Sequence, residues 1–124
     1  MCGIFGLVTP SNIKQDKIQK WSEFGLRSIL NRGPDNSKTK VHNLSDSILT
    51  LAHTRLSIIA PGSASNQPMY SGCERFVLIY NGEIYNYLEL REKLLAKGTK
   101  FKTASDSEVL LQCWIKWSSD ACTF

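Results

Sequence analysis

A cysteine at position 2, followed at once by an apolar run with two glycines, constrains this chain more than any other stretch: Met1-Cys2-Gly3-Ile4-Phe5-Gly6-Leu7-Val8-Thr9. Residues 4–8 read as a buried strand. Gly3 and Gly6 leave room for a ligand or another backbone to approach closely. If Met1 is removed, Cys2 carries a thiol and a free α-amino group on one residue. An α-amine has a reference pKa of about 7.7–8.0, so an appreciable fraction is neutral at physiological pH and able to take the thiol's proton. Two readings stand at this point. Cys2 is a small, buried apolar residue, or it is a nucleophile on the tip of a core strand.

Composition narrows the setting. A chain of 124 residues suits one domain, and with 42% hydrophobic and 21% charged residues it can build a core. The net charge of +4 comes from interspersed acids and bases, with no basic block to mark a nucleic-acid partner. Cys2, Cys73, Cys113 and Cys122 form no C-x-x-C pair, and His42 and His53 make no metal pattern with them, so no metal site is expected. The start lacks the pattern of a secretory signal, and no apolar run reaches membrane-spanning length. A cytoplasmic protein without a membrane partner is the expectation, and reduced cysteines go with it.

Pro10-Ser11-Asn12 marks a turn, and residues 13–30 read as an amphipathic helix with Ile18, Trp21, Gly25 and Ile29 on one face. Trp21 and Phe24 are expected to anchor it in the core. Asn31-Arg32-Gly33-Pro34-Asp35 breaks the helix. A short strand is expected around residues 39–42 and a better one at 47–54. Residues 60–68 are a loop by composition, and residues 76–80 read as a buried strand running into Asn81-Gly82. Tyr87, Leu90, Leu94 and Leu95 predict a short helix, with Asn86 as its N-cap and Gly98 just past its end. Phe101 is a candidate start for a brief strand. Ser105-Asp106-Ser107-Glu108 has capping-box spacing before a helix that carries Leu110, Cys113, Trp114 and Trp117 on one face. Residues 118–124 fit no helix of their own and look like the point where a longer chain was cut.

Cleaving an amide with a thiol requires a nucleophile, a base, donors for the oxyanion and groups that hold the substrate's polar ends. Cys2 and its amine supply candidates for the first two. Asn81-Gly82 supplies a side-chain amide and a backbone N–H, and the helical sequence after it fits a hairpin poorly. Arg55 is the planar, bidentate partner that a carboxylate wants. Asp106 suits an ammonium, and as a first-turn acid it also fits stabilisation by the helix dipole, so it can satisfy both readings.

Met-Cys-Gly-Ile-Phe-Gly at the start is followed in order by Asn31-Arg32-Gly33-Pro34-Asp35, His53-Thr54-Arg55-Leu56-Ser57-Ile58, Gln67-Pro68-Met69, Tyr80-Asn81-Gly82-Glu83-Ile84-Tyr85-Asn86-Tyr87 and Ser105-Asp106-Ser107-Glu108. Together these motifs resemble the class II glutamine amidotransferase domain of glutamine-dependent asparagine synthetases, over residues 1–117. Arg-Gly-Pro-Asp, Arg-Leu-Ser-Ile and Ser-Asp-Ser-Glu look like the asparagine synthetase branch, which also holds synthetase-like proteins of surface-polysaccharide clusters.

The resemblance implies an α+β fold of the N-terminal-nucleophile hydrolase type, an αββα sandwich of antiparallel sheets. Residues 1–124 would be a part of that domain, ending before the second sheet is complete. It implies that Cys2 attacks the side-chain amide of L-glutamine, giving ammonia and glutamate through a thioester. Arg55 would bind the glutamine carboxylate, with the backbone of Ile58 and Ile59 nearby. Asn81 and Gly82 would form the oxyanion hole, and Glu83, through its backbone, and Asp106 would hold the α-amino group. Arg32-Gly33-Pro34-Asp35 would give structural support near the site. The glutaminase step would need no cofactor. ATP and magnesium would belong to a synthetase domain absent from this chain, the implied partner that uses the ammonia on aspartate. The alternatives are an inactive or partner-dependent glutamine-binding module, or an amidotransferase for another acceptor such as a polysaccharide precursor.

Overall fold

The computed structural model describes residues 2–57 and 62–123. Its regular elements are β1 (Gly3–Pro10), α1 (Gln15–Ile29), β2 (Asn36–Asn43), β3 (Ser47–Arg55), β4 (Met69–Tyr70), β5 (Val77–Leu78), α2 (Tyr87–Ala96) and α3 (Asp106–Trp117). Short 3-10 turns cover Leu30–Arg32, Ser63–Ser65 and Ser118–Thr123. The class is α+β, as expected.

β3 lies at the centre of a three-stranded antiparallel sheet of order β1-β3-β2, and β4 pairs with β5 in a second, two-stranded one. The register sets Gly3 opposite Thr54 and Phe5 opposite Ala52. α1 packs on that face. It turns Ile18, Ser22 and Gly25 inward, spaced about one turn apart. Gly25 is small by necessity, because a Cβ there would run into the Phe5 ring.

This seating corrects the expectation for Trp21 and Phe24, which are 45% and 75% exposed. Ser22, not Trp21, lies between Ile18 and Gly25 on the sheet-facing side. Small residues let the helix approach closely, and the aromatic pair is rotated outward. β1 is also not the fully buried strand expected. Its burial alternates: Gly3 and Thr9 are covered, while Ile4 and Val8 lie on the opposite, open face.

A second core joins α2 and α3. Leu90, Leu94, Val109 and Cys113 form it, with Ile84, Tyr87, Phe101 and Trp117 packed against them. Gly98 ends α2 as predicted, at φ 81°. The Gly98 and Thr99 N–H groups donate back to Leu95 and Leu94 carbonyls at 2.9 and 3.0 Å, the pattern of a Schellman motif.

Other expectations shift. Asn86 makes no side-chain cap. Leu95 and Trp114 are exposed, and Val109 and Leu111 are buried where Leu110 is only half-buried. The strand expected at residues 76–80 shrinks to Val77–Leu78, and Phe101 starts no strand. Residues 118–123 do form a 3-10 turn. Ser105 caps α3 by accepting from the Glu108 N–H at 3.2 Å. The Glu108 carboxylate does not close the capping box on Ser105. It accepts instead from the Lys102 and Thr103 N–H groups, at 2.8 and 2.6 Å, and pins the loop before the helix.

Among the described residues, no helix is long and apolar enough to cross a membrane.

Candidate active site

Cys2 sits half-buried at the start of β1, beside the point where the chain leaves β3. Its thiol accepts a hydrogen bond from the Leu56 N–H at 3.4 Å and faces the Leu56 carbonyl at 3.8 Å. Arg32 donates from Nε to the Cys2 carbonyl at 3.0 Å. The loop that contains Arg32 is locked to the end of β3. Asp35 donates its N–H to the Arg55 carbonyl at 3.0 Å, and its carboxylate accepts from the Ser57 N–H at 2.6 Å. A Cβ on Gly33 would meet Thr54 and Arg55 backbone at 2.5–2.6 Å, so only glycine permits this approach. The sequence motif Arg32-Gly33-Pro34-Asp35 thus buttresses both Cys2 and Arg55.

Arg55 is buried, 5% exposed. Its guanidinium donates to the Gly62 carbonyl at 2.6 Å and to Asn66 Oδ1 at 2.8 Å. From the far side of the site comes the segment after β5. Its Tyr80 curls over Gly82, and Asn81, Gly82 and Glu83 are exposed. Asp106, the first residue of α3, is buried. One carboxylate oxygen accepts from the Ser107 N–H at 2.7 Å and the other from the Ile84 N–H at 3.4 Å.

These pieces surround one cavity of about 430 Å³, lined by Cys2, Arg55, Asn81, Gly82, Glu83 and Asp106 among others. Six of the residues singled out in the sequence therefore meet in space, from segments up to 104 positions apart (106 − 2). Ile58 and Ile59 lie outside the described residues. The cavity has other walls that the motifs did not assign a part: Ser65, Gln67, Tyr80, Tyr85, Ser105 and Ser107. Gln67 stood in a quoted motif without a role. A polar residue beside a proline reads as loop, and nothing local announces that it is 4% exposed.

The electrostatics divide the cavity. Arg55 brings positive charge to one wall, and Glu83 and Asp106 bring negative charge to another. Burial pushes the Tyr80 phenol above its usual range, and the Asp106 and Glu83 carboxylates push it the same way. Burial lowers the His53 pKa below 6.5, with the Arg55 charge acting in the same direction against a hydrogen bond to Tyr80. A thiol, amide donors, a guanidinium and two carboxylates around one space can hold a zwitterion and present its side chain to sulfur. Among the described residues, no group of three or more His, Cys, Asp or Glu is arranged to hold a metal.

A family model described as "Glutamine amidotransferase domain" matches residues 1–123. The chain belongs to the glutamine amidotransferase domain family. This amidotransferase-domain chain is 38% identical over 120 residues to asparagine synthetase (glutamine-hydrolyzing) 1 of Arabidopsis thaliana, covering 97% of this chain and 19% of that protein. It is 34% identical over 125 residues to asparagine synthetase (glutamine-hydrolyzing) 3 of Bacillus subtilis, covering 97% of this chain and 19% of that protein. A second Bacillus subtilis protein, asparagine synthetase (glutamine-hydrolyzing) 1, is 38% identical over 122 residues, 98% of this chain and 18% of its own length. The amidotransferase-domain chain spans between 18% and 25% of the length of the curated relatives it matches.

Proposed function

We propose that this chain carries out the glutaminase half-reaction of an asparagine synthetase-like enzyme. The observation that carries the reading is the single cavity in which Cys2, Arg55, Asn81, Gly82, Glu83 and Asp106 converge. With Met1 removed, the Cys2 amine takes the thiol proton, and the thiolate adds to the side-chain carbonyl carbon of glutamine. Asn81 Nδ2 and the Gly82 N–H donate to the oxyanion that forms. Such donors act where charge develops, and each is worth about 10²–10³ in rate. The carbon–nitrogen bond then breaks, and the nitrogen leaves as ammonia with the proton held by the amine. Water adds to the thioester and releases glutamate and the free thiol.

Arg55 binds the glutamine carboxylate. Asp106 and the Glu83 carbonyl hold the ammonium. No cofactor enters these steps. The ammonia passes to aspartate on an ATP- and magnesium-dependent synthetase domain outside residues 1–124, a reading supported by the much greater length of the relatives. The two antiparallel sheets would belong to an αββα sandwich. In support, α1 covers one face of the first sheet and the other, with Ile4 and Val8, is open, as an inner layer requires.

That open face also favours a second reading, a glutamine-binding module that works only with its partner chain. Intact mass separates the two. On the first reading, the purified chain lacks Met1 and gains one adduct from 6-diazo-5-oxo-norleucine. The adduct is blocked by excess glutamine and absent in Cys2→Ala, which still binds glutamine. A folded chain without Met1 that neither hydrolyses glutamine nor takes the adduct overturns it, and retained Met1 favours the partner-dependent module.

A further inference from the structure

The two peptide groups that flank Tyr80, just before Asn81 and Gly82, are each held by a buried side chain. The Tyr80 N–H donates to Gln67 Oε1 at 2.5 Å. The Tyr80 carbonyl pairs with His53 Nε2 at 3.2 Å. A carbonyl only accepts, so His53 must carry its proton on Nε2. In the neutral ring Nδ1 is then a bare acceptor, and it is buried with no hydrogen-bond partner among the described residues. His53 has no exposed surface. The other end of Gln67 continues the chain of bonds: Nε2 donates to Ser107 Oγ at 3.2 Å, and Ser107 Oγ donates to Asp106 Oδ1 at 3.3 Å.

We propose that Gln67 and His53 are positioning residues for the oxyanion donors, clamping the peptide groups on either side of Tyr80 so that Asn81 and Gly82 are fixed before substrate arrives. The inference rests on the glutaminase reading for its catalytic consequence. A segment with only two strand residues before it, Val77–Leu78, has little sheet of its own to hold it. The clamp ties it to the central sheet through His53, in β3, and to the start of α3 through Gln67 and Ser107. Both clamping side chains lie deep, so their bonds are shielded from water and the cost of leaving Tyr80 unpaired is high. Oxyanion donors misplaced by about 1 Å can lose on the order of a hundredfold in rate.

Gln67→Met keeps the side chain's length and removes both bonds. His53→Leu removes the second grip, and His53→Gln returns a donor to the Tyr80 carbonyl. Two measurements on the full chain are read together. The first is amide hydrogen exchange at Tyr80, with Leu94 as an internal measure of the fold. The second is glutamine hydrolysis, with iodoacetamide alkylation of Cys2 as a reaction that needs no oxyanion hole.

The expected result for Gln67→Met is at least tenfold faster exchange at Tyr80 with Leu94 unchanged. Its kcat should fall tenfold to a hundredfold, its KM should move less than threefold, and alkylation should keep its wild-type rate. His53→Leu should lose kcat in the same way, and His53→Gln should recover most of it. Equal Tyr80 exchange in wild type and Gln67→Met, or equal kcat, overturns the inference while leaving the glutaminase reading in place. A wild-type chain with protected Tyr80 but no glutamine hydrolysis overturns that reading, and the catalytic part of the inference falls with it.

Discussion

At Gly82 a side chain would meet the Tyr80 ring: a Cβ would stand 2.5 Å from the Tyr80 hydroxyl and 2.7 Å from the ring carbon that bears it. The obstacle is the far end of a half-buried ring that can swing aside, so Gly82→Ala should cost little stability. It should nevertheless shift Asn81 and Gly82, which line the same cavity as Cys2. The expected outcome is a melting temperature within a few degrees of wild type and a kcat for glutamine lower by about tenfold or more, measured by ammonia release. His53 makes a different prediction. Burial holds its pKa below 6.5 in the folded chain. The unfolded chain therefore binds the proton first as pH falls, and stability rises with pH wherever that holds. Stability should be full above about pH 7 and should decline as pH drops through about 6.5 toward the lower folded value. Urea midpoints taken across that range check it, and His53→Gln should flatten the slope.

Among the elements, α3 decides most about the site, because its first turn carries Asp106. Ser105 caps it, Glu108 ties down Lys102 and Thr103, and Arg91 stacks on Phe101 at 4.1 Å while donating to the Thr103 carbonyl at 2.9 Å. Ser105→Ala should lower stability by about 0.5–2 kcal/mol, read from urea unfolding, because one helix N–H loses its acceptor. The same change should raise KM for glutamine more than it lowers kcat, since the Asp106 carboxylate moves with the frayed turn. This cap was legible in the sequence because Ser105 and Glu108 are only three positions apart. Gly98 was legible for the same kind of reason: past a helix end, the left-handed backbone favours glycine. The failure of Asn86 as a cap shows the limit of such signals. Its backbone, at φ −94° and ψ 21°, lies outside the extended conformation that a capping side chain needs.

At the scale of the molecule, two packed regions meet at the cavity: the α1-covered sheet, which brings Cys2 and Arg55, and the α2–α3 core, which brings Asp106. Leu94 is fully buried at the centre of the second. Leu94→Ala should cost about 2–5 kcal/mol by leaving a cavity, measured by denaturant unfolding. Glutamine binding should weaken with it, because the core around Leu94 also seats α3, whose first residue is Asp106. The sequence by itself determined the α+β class, the order of α1, α2 and α3 and of the strands β1, β2, β3 and β5, the caps at Ser105 and Gly98, and the presence of the chemical groups Cys2, Arg55, Asn81, Gly82, Glu83 and Asp106, but not the two-residue β4. Each of those depends on local sterics, a few-residue period or a motif carried along the chain. Tertiary structure alone decided which face each element buries, and so it overturned Trp21 and Phe24: a helix turns about 100° per residue, and where Gly25 lets Phe5 in settles the rotation. It alone revealed Gln67 as buried and paired, because its partners Tyr80 and Ser107 lie 13 and 40 positions away. A polar side chain gains its role from the groups that surround it after folding, and no period in the sequence encodes those neighbours.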